Sequence, residues 1–340
     1  MRIISKKFGE FEGKDVVMST LYGENDNYVS IINWGAVIQN WVVKMPNNEI
    51  NSVVLGFDDF DYYPKLSPFF GAIVGRVANR IANAKFEINN KTYNLEKNRP
   101  PNHLHGGSNG FGRSIWEFAC DEKSNSIILK IDSPDGHGGY PGNVKASVKY
   151  TLEGEKLIIE MKAKSDSETP INMAQHNYFN LSSNKNNEKY NVCDHFLYLN
   201  SHLYTETDKL LIPTGKILKT TNTDLDFSKP KKINKIFLDD NFVLNSDRVI
   251  KDPVANLYNL ETLMELQLWT DQPGLQVYNS PKLSLNQSGL NKIRYGNFSG
   301  ICLEAQKFPD SVNNPNFPSI LIDKTKDYYH KTEIKISEKK

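Results

Sequence analysis

The sequence predicts an all-β fold, a large antiparallel β-sandwich, on three observations. Apolar and polar residues alternate with period two over several segments, as half-buried antiparallel strands require. No long stripe of apolar residues recurs at helical spacing. Clusters of Gly, Pro, Asn and Asp interrupt the chain at short intervals, as turns between strands do.

The elements follow in chain order. Val144, Ala146, Val148, Tyr150 and Leu152 alternate with Lys145, Ser147, Lys149 and Thr151. Leu157, Ile159, Met161 and Ala163 alternate with Ile158, Glu160, Lys162 and Lys164. Each run predicts a strand, and Glu153-Gly-Glu155 between them predicts a hairpin turn. Met264, Leu266 and Leu268 alternate with Glu265, Gln267 and Trp269, and Thr332, Ile334 and Ile336 with Lys331, Glu333 and Lys335. Polar stretches at 182–190 and 228–235 read as surface loops, because strand-like sequence resumes after each. Residues 1–340 are therefore expected to form a single domain.

The 340 residues carry 41 basic and 40 acidic side chains, a formal net charge of +1. Such a balance gives no global field to draw nucleic acid or a membrane, so neither is an expected partner. A small, uncharged ligand suits it better, and monomer and homodimer both stay open. Cys120, Cys193 and Cys302 form no CxxC pair and read as buried free thiols in a reducing cytoplasm. The segment Met1-Arg-Ile-Ile-Ser-Lys-Lys-Phe8 turns polar before a signal-peptide core forms, and no apolar run approaches the ~20 residues that span a bilayer. A soluble cytoplasmic protein is the expectation.

The most informative stretch is Thr169-Pro-Ile-Asn-Met-Ala-Gln-His-Asn-Tyr-Phe-Asn-Leu181. In a strand, His176 and Tyr178 share a face and point together into one cavity. His103 and His105 likewise share a face in a strand, yet two histidines without a third ligand nearby do not make a metal site. Gly106-Gly107 and Gly110 to Gly112 read as a turn where backbone approaches closely. Arg76 and Arg80 sit among Ile73, Val74, Val77 and Ile81, which implies burial. A buried arginine needs acceptors, here expected to be a carboxylate or a sugar hydroxyl. Glu304 lies in the apolar run Ile301-Cys-Leu-Glu-Ala-Gln306, where burial would raise its pKa and suit it to proton transfer. A salt-bridged core glutamate is the alternative. Asp239-Asp240 and Gln272-Pro-Gly-Leu-Gln276 add polar groups beside apolar or turn residues.

Taken together and in this order, these segments resemble the galactose mutarotase (aldose 1-epimerase) family. The resemblance rests on Gly75-Arg-Val-Ala-Asn-Arg-Ile81, Leu104-His-Gly-Gly107, Ser133-Pro-Asp-Gly136 with Gly139-Tyr-Pro-Gly142, and Thr169-Pro-Ile-Asn with His176-Asn-Tyr-Phe-Asn-Leu181. It continues through Leu211-Ile-Pro-Thr-Gly215, Asp239-Asp-Asn-Phe242, Gln272-Pro-Gly274, and Leu303-Glu304 with Phe308-Pro-Asp310. It runs from about Trp34-Gly-Ala36 to Tyr328-Tyr-His330, nearly the whole chain.

The resemblance implies a supersandwich of the galactose mutarotase type whose open face binds a free hexose. It implies an isomerase of hexose and galactose metabolism that interconverts α- and β-anomers of an aldose, with neither metal nor other cofactor. His176 corresponds to the general acid that protonates the ring oxygen. Glu304 corresponds to the general base that takes the C1 hydroxyl proton. His105 corresponds to a second histidine near the ring oxygen or C1. Asn79, Arg80, Asp239 and Gln276 match positions that hold sugar hydroxyls, and Tyr178 joins them by its spacing from His176. Relatives often read Asp-His-Asn-Phe where this chain has Asp239-Asp240, so either aspartate could face the sugar. His137 stands where an acidic residue is common and reads as a surface change. The alternatives are an epimerase of hexose 6-phosphates and a non-catalytic carbohydrate-binding module.

Overall fold

The computed structural model describes residues 2–24, 26–183, 190–249 and 251–339. Three antiparallel sheets dominate it. The largest has nine strands in the order Glu117–Asp121, Ser126–Ser133, Val144–Glu153, Lys156–Ser165, Tyr328–Glu338, Met264–Thr270, Ala255–Asn259, Phe196–Leu199, Lys231–Lys232. An N-terminal sheet holds five strands in sequence order, from Arg2–Phe11 to Ile50–Ser52. A second five-stranded sheet has the order Pro213–Lys219, Ser201–Thr207, Asp239–Leu244, Gly274–Tyr278, Cys302–Gln306. Among the described residues the α-helix is a single short one, Tyr62–Leu66.

The alternation in the sequence is the alternation in the fold. Val144, Ala146, Val148, Tyr150 and Leu152 are buried, as are Leu157, Ile159, Met161 and Ala163 on the next strand. The two strands pair from Val144↔Ser165 to Glu153↔Lys156, which leaves Gly154 and Glu155 as the turn. Gly154 has φ +58°, a conformation that glycine enters without steric cost. Met264, Leu266, Leu268, Ile334 and Ile336 are buried on adjoining strands of the same sheet. One continuous apolar cluster draws these side chains together with Ile31, Ile38 and Val43 of the N-terminal sheet and Leu275, Val277, Leu303 and Ala305 of the second five-stranded sheet. Each fully buried Leu, Ile or Val in it contributes roughly 1.5–3 kcal/mol relative to exposure.

Period two then dictates what the second five-stranded sheet shows on its other face. With Leu303 and Ala305 in the core, Cys302, Glu304 and Gln306 face away from it. With Leu275 and Val277 in the core, Gln276 and Tyr278 face the same way as Glu304. Register sets them side by side: Gln276 lies opposite Glu304, and Tyr278 lies between Asp239 and Cys302.

Four expectations need correction. The 228–235 stretch is not wholly loop, because Lys231–Lys232 pairs with Phe196 and Leu197 as the edge of the nine-stranded sheet. Of the three free cysteines only Cys302 is buried; Cys120 is exposed and Cys193 intermediate. The strand expected to carry both His176 and Tyr178 ends at His176. The strand through His103 ends at Leu104, and His105 has φ +52°, so the two imidazoles part company. Within the predicted loop at 182–190, positions 184–189 lie outside the described residues.

Candidate active site

Strand Ala174–His176 pairs with Ala72–Val74, with His176 opposite Ala72. Beyond it, Phe179 exchanges two backbone hydrogen bonds with Ile301 (2.8 and 2.9 Å). This crossing brings the 174–179 segment against the start of strand Cys302–Gln306. As a result the His176 Nε2 stands 3.6 Å from Glu304 Oε1. Both residues are nearly closed to solvent, His176 at 5 % and Glu304 at 2 % exposure.

The second histidine arrives on a glycine turn. Gly106 has φ +85°, and its backbone lies so close to the Gly75 carbonyl that a Cβ has no room. The Asn79 N–H donates to His105 Nδ1 at 3.1 Å. Since Nδ1 accepts, neutral His105 carries its proton on Nε2 and is a donor there. The ring lies 5.1 Å from that of His176, edge to face.

Polar anchors complete the face. Gln276 Nε2 donates to Asp239 Oδ1 (2.8 Å), and Arg80 reaches Asp239 Oδ2 at 3.9 Å. Asn79 Oδ1 accepts from the Arg80 backbone N–H (2.8 Å) and guanidinium (3.3 Å), which leaves its amide NH₂ as the group for a ligand. Asp240 alternates to the other face, opposite Val277, so geometry selects Asp239 as the aspartate beside Arg80 and Gln276.

Electrostatics are governed by burial. Desolvation pushes the Glu304 carboxyl well above its usual range, with the Asp239 charge adding to it and Arg80 opposing it. Desolvation lowers His176 to about 4. His105 is held well below the usual histidine value by burial first, then by His176 and Arg80. Burial also raises Asp239, against the pull of Arg80 and Gln276. Each shift favours a neutral form. Burial therefore opposes charge on both His176 and Glu304.

Among the described residues, His176, Cys302 and Glu304 are the group whose donor atoms, all within 4.8 Å of one another, come close enough to share an ion. The thiol and the carboxyl are neighbours on one strand face, and the imidazole lies against both. Cys302 Sγ faces Nδ1 (3.5 Å) while Glu304 faces Nε2 (3.6 Å). Burial holds both the Cys302 thiol and the Glu304 carboxyl toward their protonated forms, which are poor metal ligands until those protons are lost.

Two expected site residues sit elsewhere. Tyr178 stacks on His176 (5.1 Å between centroids, 18° between planes), and its hydroxyl donates to the Pro68 carbonyl at 3.0 Å. Its hydroxyl proton is thereby committed to that carbonyl, and its ring supports His176. Tyr178→Phe keeps the stack and loses one hydrogen bond, so kcat/KM is expected to stay within about threefold and stability to fall by about 1 kcal/mol. A tenfold rise in KM, measured by polarimetry, would return the hydroxyl to the substrate. Arg76 is buried as expected, but its acceptors are the carbonyls of Ser133, Pro134, Pro141 and Gly142 and the hydroxyls of Ser133 and Thr169. It ties loops together and faces no sugar. His137 hydrogen-bonds Ser133 Oγ (2.9 Å) and stays outside the acid–base group.

Sequence reasoning missed Phe69, Cys302 and Tyr278. Cys302 lies two residues before Glu304 and Tyr278 two after Gln276, so the period-two rule applied once more would have found both. Burial pushes the Tyr278 phenol up to about 12, which keeps it a neutral donor at this face. Phe69, from a turn far away in sequence, carried no such signal.

Comparison with known proteins identifies the family. The family profile described as aldose 1-epimerase matches residues 19–335. Galactose mutarotase of Homo sapiens is 37 % identical over 316 residues, covering 91 % of each chain. Aldose 1-epimerase of Haemophilus influenzae is 35 % identical over 324 residues, covering 91 % of this chain and 92 % of its own. The solved structure of an aldose epimerase homologue from C. elegans superimposes with a TM-score of 0.88 at 25 % identity, covering 96 % of this chain and all of its own. On sequence and on fold, the chain belongs to the aldose 1-epimerase family.

Proposed function

We propose that this protein interconverts the α- and β-anomers of free aldohexoses such as D-galactose and D-glucose. The observation that carries this reading is the His176–Glu304 pair, 3.6 Å apart, beside the Arg80–Asp239–Gln276 array. In ring opening, Glu304 as carboxylate takes the proton of the C1 hydroxyl, and His176 as imidazolium gives one to the ring oxygen. The C1–O5 bond breaks and C1 becomes an aldehyde. The proton now lies on Glu304 and His176 is neutral, the distribution that burial favours. After rotation about C1–C2, the two transfers reverse and close the ring on the other face. No proton is gained or lost over the cycle, and acid and base each contribute typically ~10²–10⁴-fold.

His105 Nε2–H is placed to donate near the ring oxygen or C1. Arg80, Asp239, Gln276 and the Asn79 amide would hold the other hydroxyls, so that reacting atoms meet the pair in register. The hexose 6-phosphate alternative needs clustered cations for a dianion. Arg76 has turned away to carbonyls and Arg80 is matched by Asp239, which disfavours that reading. We place the whole chain, 1–340, in the cytoplasm as one functional unit, in keeping with its free thiols. No helix of the described residues is long and apolar enough to cross a membrane.

Polarimetry over galactose, glucose, xylose, arabinose and glucose 6-phosphate tests the proposal. Catalysis of anomer exchange on free aldoses is the expected result, and turnover of the phosphate ester alone would overturn it. The pH profile of kcat/KM is expected to be bell-shaped. Its acid limb reflects a second proton on the pair, at His176, and lies near pH 4 rather than at the ordinary histidine value of 6.5. Its alkaline limb reflects loss of the remaining proton and lies well above the ordinary glutamate value. An acid limb centred at 6.5 would contradict the burial argument.

A further inference from the structure

The His176 ring has its plane fixed before any hydrogen bond is counted. Phe69 runs nearly parallel to it (6.2 Å, 24°), and so does Tyr178 (5.1 Å, 18°). A half-turn about the Cβ–Cγ bond preserves that plane while exchanging Nδ1 with Cδ2 and Nε2 with Cε1. Flat neighbours do not discriminate between these two orientations. A hydrogen-bonding partner does, because a ring carbon cannot take the place of the nitrogen in such a contact. Cys302 Sγ lies 3.5 Å from Nδ1, within the range of a sulfur hydrogen bond, and Cys302 is wholly buried.

We propose that Cys302 is a positioning residue for the anomerisation: its thiol engages His176 Nδ1 and thereby aims Nε2 at Glu304 and the sugar's ring oxygen. The proposal rests on the acid–base reading of His176. Cys302 itself has no exposed surface with which to meet a sugar, so its effect passes through the imidazole.

A thiol suits this task because it both donates and accepts, weakly in each case. When His176 is neutral with its proton on Nε2, the S–H donates to Nδ1. When both nitrogens are protonated, the Nδ1–H donates to sulfur. After Nε2 has given its proton to the ring oxygen, the Nδ1–H still donates to sulfur. The contact survives every protonation state of the cycle, so what it fixes is the orientation of the ring and thereby the direction of Nε2. Burial keeps the thiol in its protonated form. The groups that face His176 are Glu304 and Cys302 from one strand, His105 from the glycine turn and Tyr178 from its own segment, with Arg80 and Asp239 acting on Glu304.

The test compares Cys302→Ala and Cys302→Ser with the wild type by polarimetry, thermal melting and ¹⁵N NMR of the histidine rings. Cys302→Ala removes the partner and is expected to lower kcat about tenfold, the size of one modest hydrogen bond, with KM within about twofold. Its acid limb moves to lower pH, because the imidazolium loses an acceptor. Cys302→Ser restores a group that donates and accepts, and is expected to return kcat to within about threefold of wild type. The NMR signature is a His176 Nδ1 resonance shifted by hydrogen bonding in the wild type and the Ser variant, and that shift lost in the Ala variant. Wild-type kcat in Cys302→Ala with an unchanged Nδ1 resonance would overturn the proposal. So would equal losses in both variants accompanied by lowered melting, which would mean packing alone. If the wild type turned over no sugar, the functional reading would fall, while the Nδ1 resonance would still decide whether Cys302 orients the ring.

Discussion

Glu304→Gln is expected to fold with an unchanged melting temperature and to lose between about 10² and 10⁴ of kcat, the span of a general acid–base contribution. Glutamine has the shape of a protonated glutamate, and burial already drives this carboxyl toward its neutral form. The substitution therefore creates no new buried charge and no cavity. It removes the ability to accept a proton from the C1 hydroxyl. His176→Asn is expected to lose activity over the same range, because an amide cannot act as an imidazolium. Anomer exchange measured by polarimetry at saturating sugar checks both. Retention of more than about a tenth of the wild-type rate by either variant would contradict its assigned role. The two outcomes also separate the roles: a silent Glu304 variant beside an active His176 variant would move proton donation to His105 Nε2, the next donor at hand.

The parts of this molecule legible in its sequence are those that depend on alternation. Val144 to Leu152 and Leu157 to Ala163 announced their strands and buried faces because side-chain direction in a strand is local. Glu304 was legible for the same reason, as a carboxylate out of place in an apolar run. The phase of alternation was less accessible. Asp239 and Asp240 are adjacent, and which one faces Arg80 depends on pairing with Tyr278 and Val277 nearly forty residues later. Tyr178 misled because the spacing rule holds only while a strand lasts, and the strand ends at His176. His105 left its strand through a positive φ that the following glycines accommodate. Partners supplied from distant turns, such as Phe69 over His176, leave no mark in local sequence at all.

Arg76 shows how far such a partner set can change a prediction. Surrounded by apolar residues, it pointed to a carboxylate or a sugar as its acceptor. The guanidinium instead donates from Nε to Ser133 Oγ (2.9 Å), from one terminal nitrogen to the Pro141 carbonyl (2.8 Å) and Thr169 Oγ1 (3.4 Å), and from the other to the carbonyls of Ser133, Pro134 and Gly142 (2.8–3.0 Å). Those acceptors lie between 57 and 93 residues away in the chain, and burial lowers the guanidinium to about 10. A fork of five donors satisfies them; an ammonium has three, and alanine none. Arg76→Ala leaves several buried acceptors without a donor and is expected to cost about 3 kcal/mol or more. Arg76→Lys is expected to lose less, yet remain clearly destabilised, because its donors radiate from one point and cannot reach the spread of carbonyls. Denaturant titration followed by tryptophan fluorescence measures both. Since none of these bonds enters the sugar-facing side, folded Arg76→Lys protein is expected to keep kcat within about threefold of wild type. A stable but inactive Arg76→Lys variant would reverse the assignment and make Arg76 a sugar-binding residue after all; an Arg76→Ala variant within about 1 kcal/mol of wild type would show that water replaces the guanidinium at those carbonyls without loss.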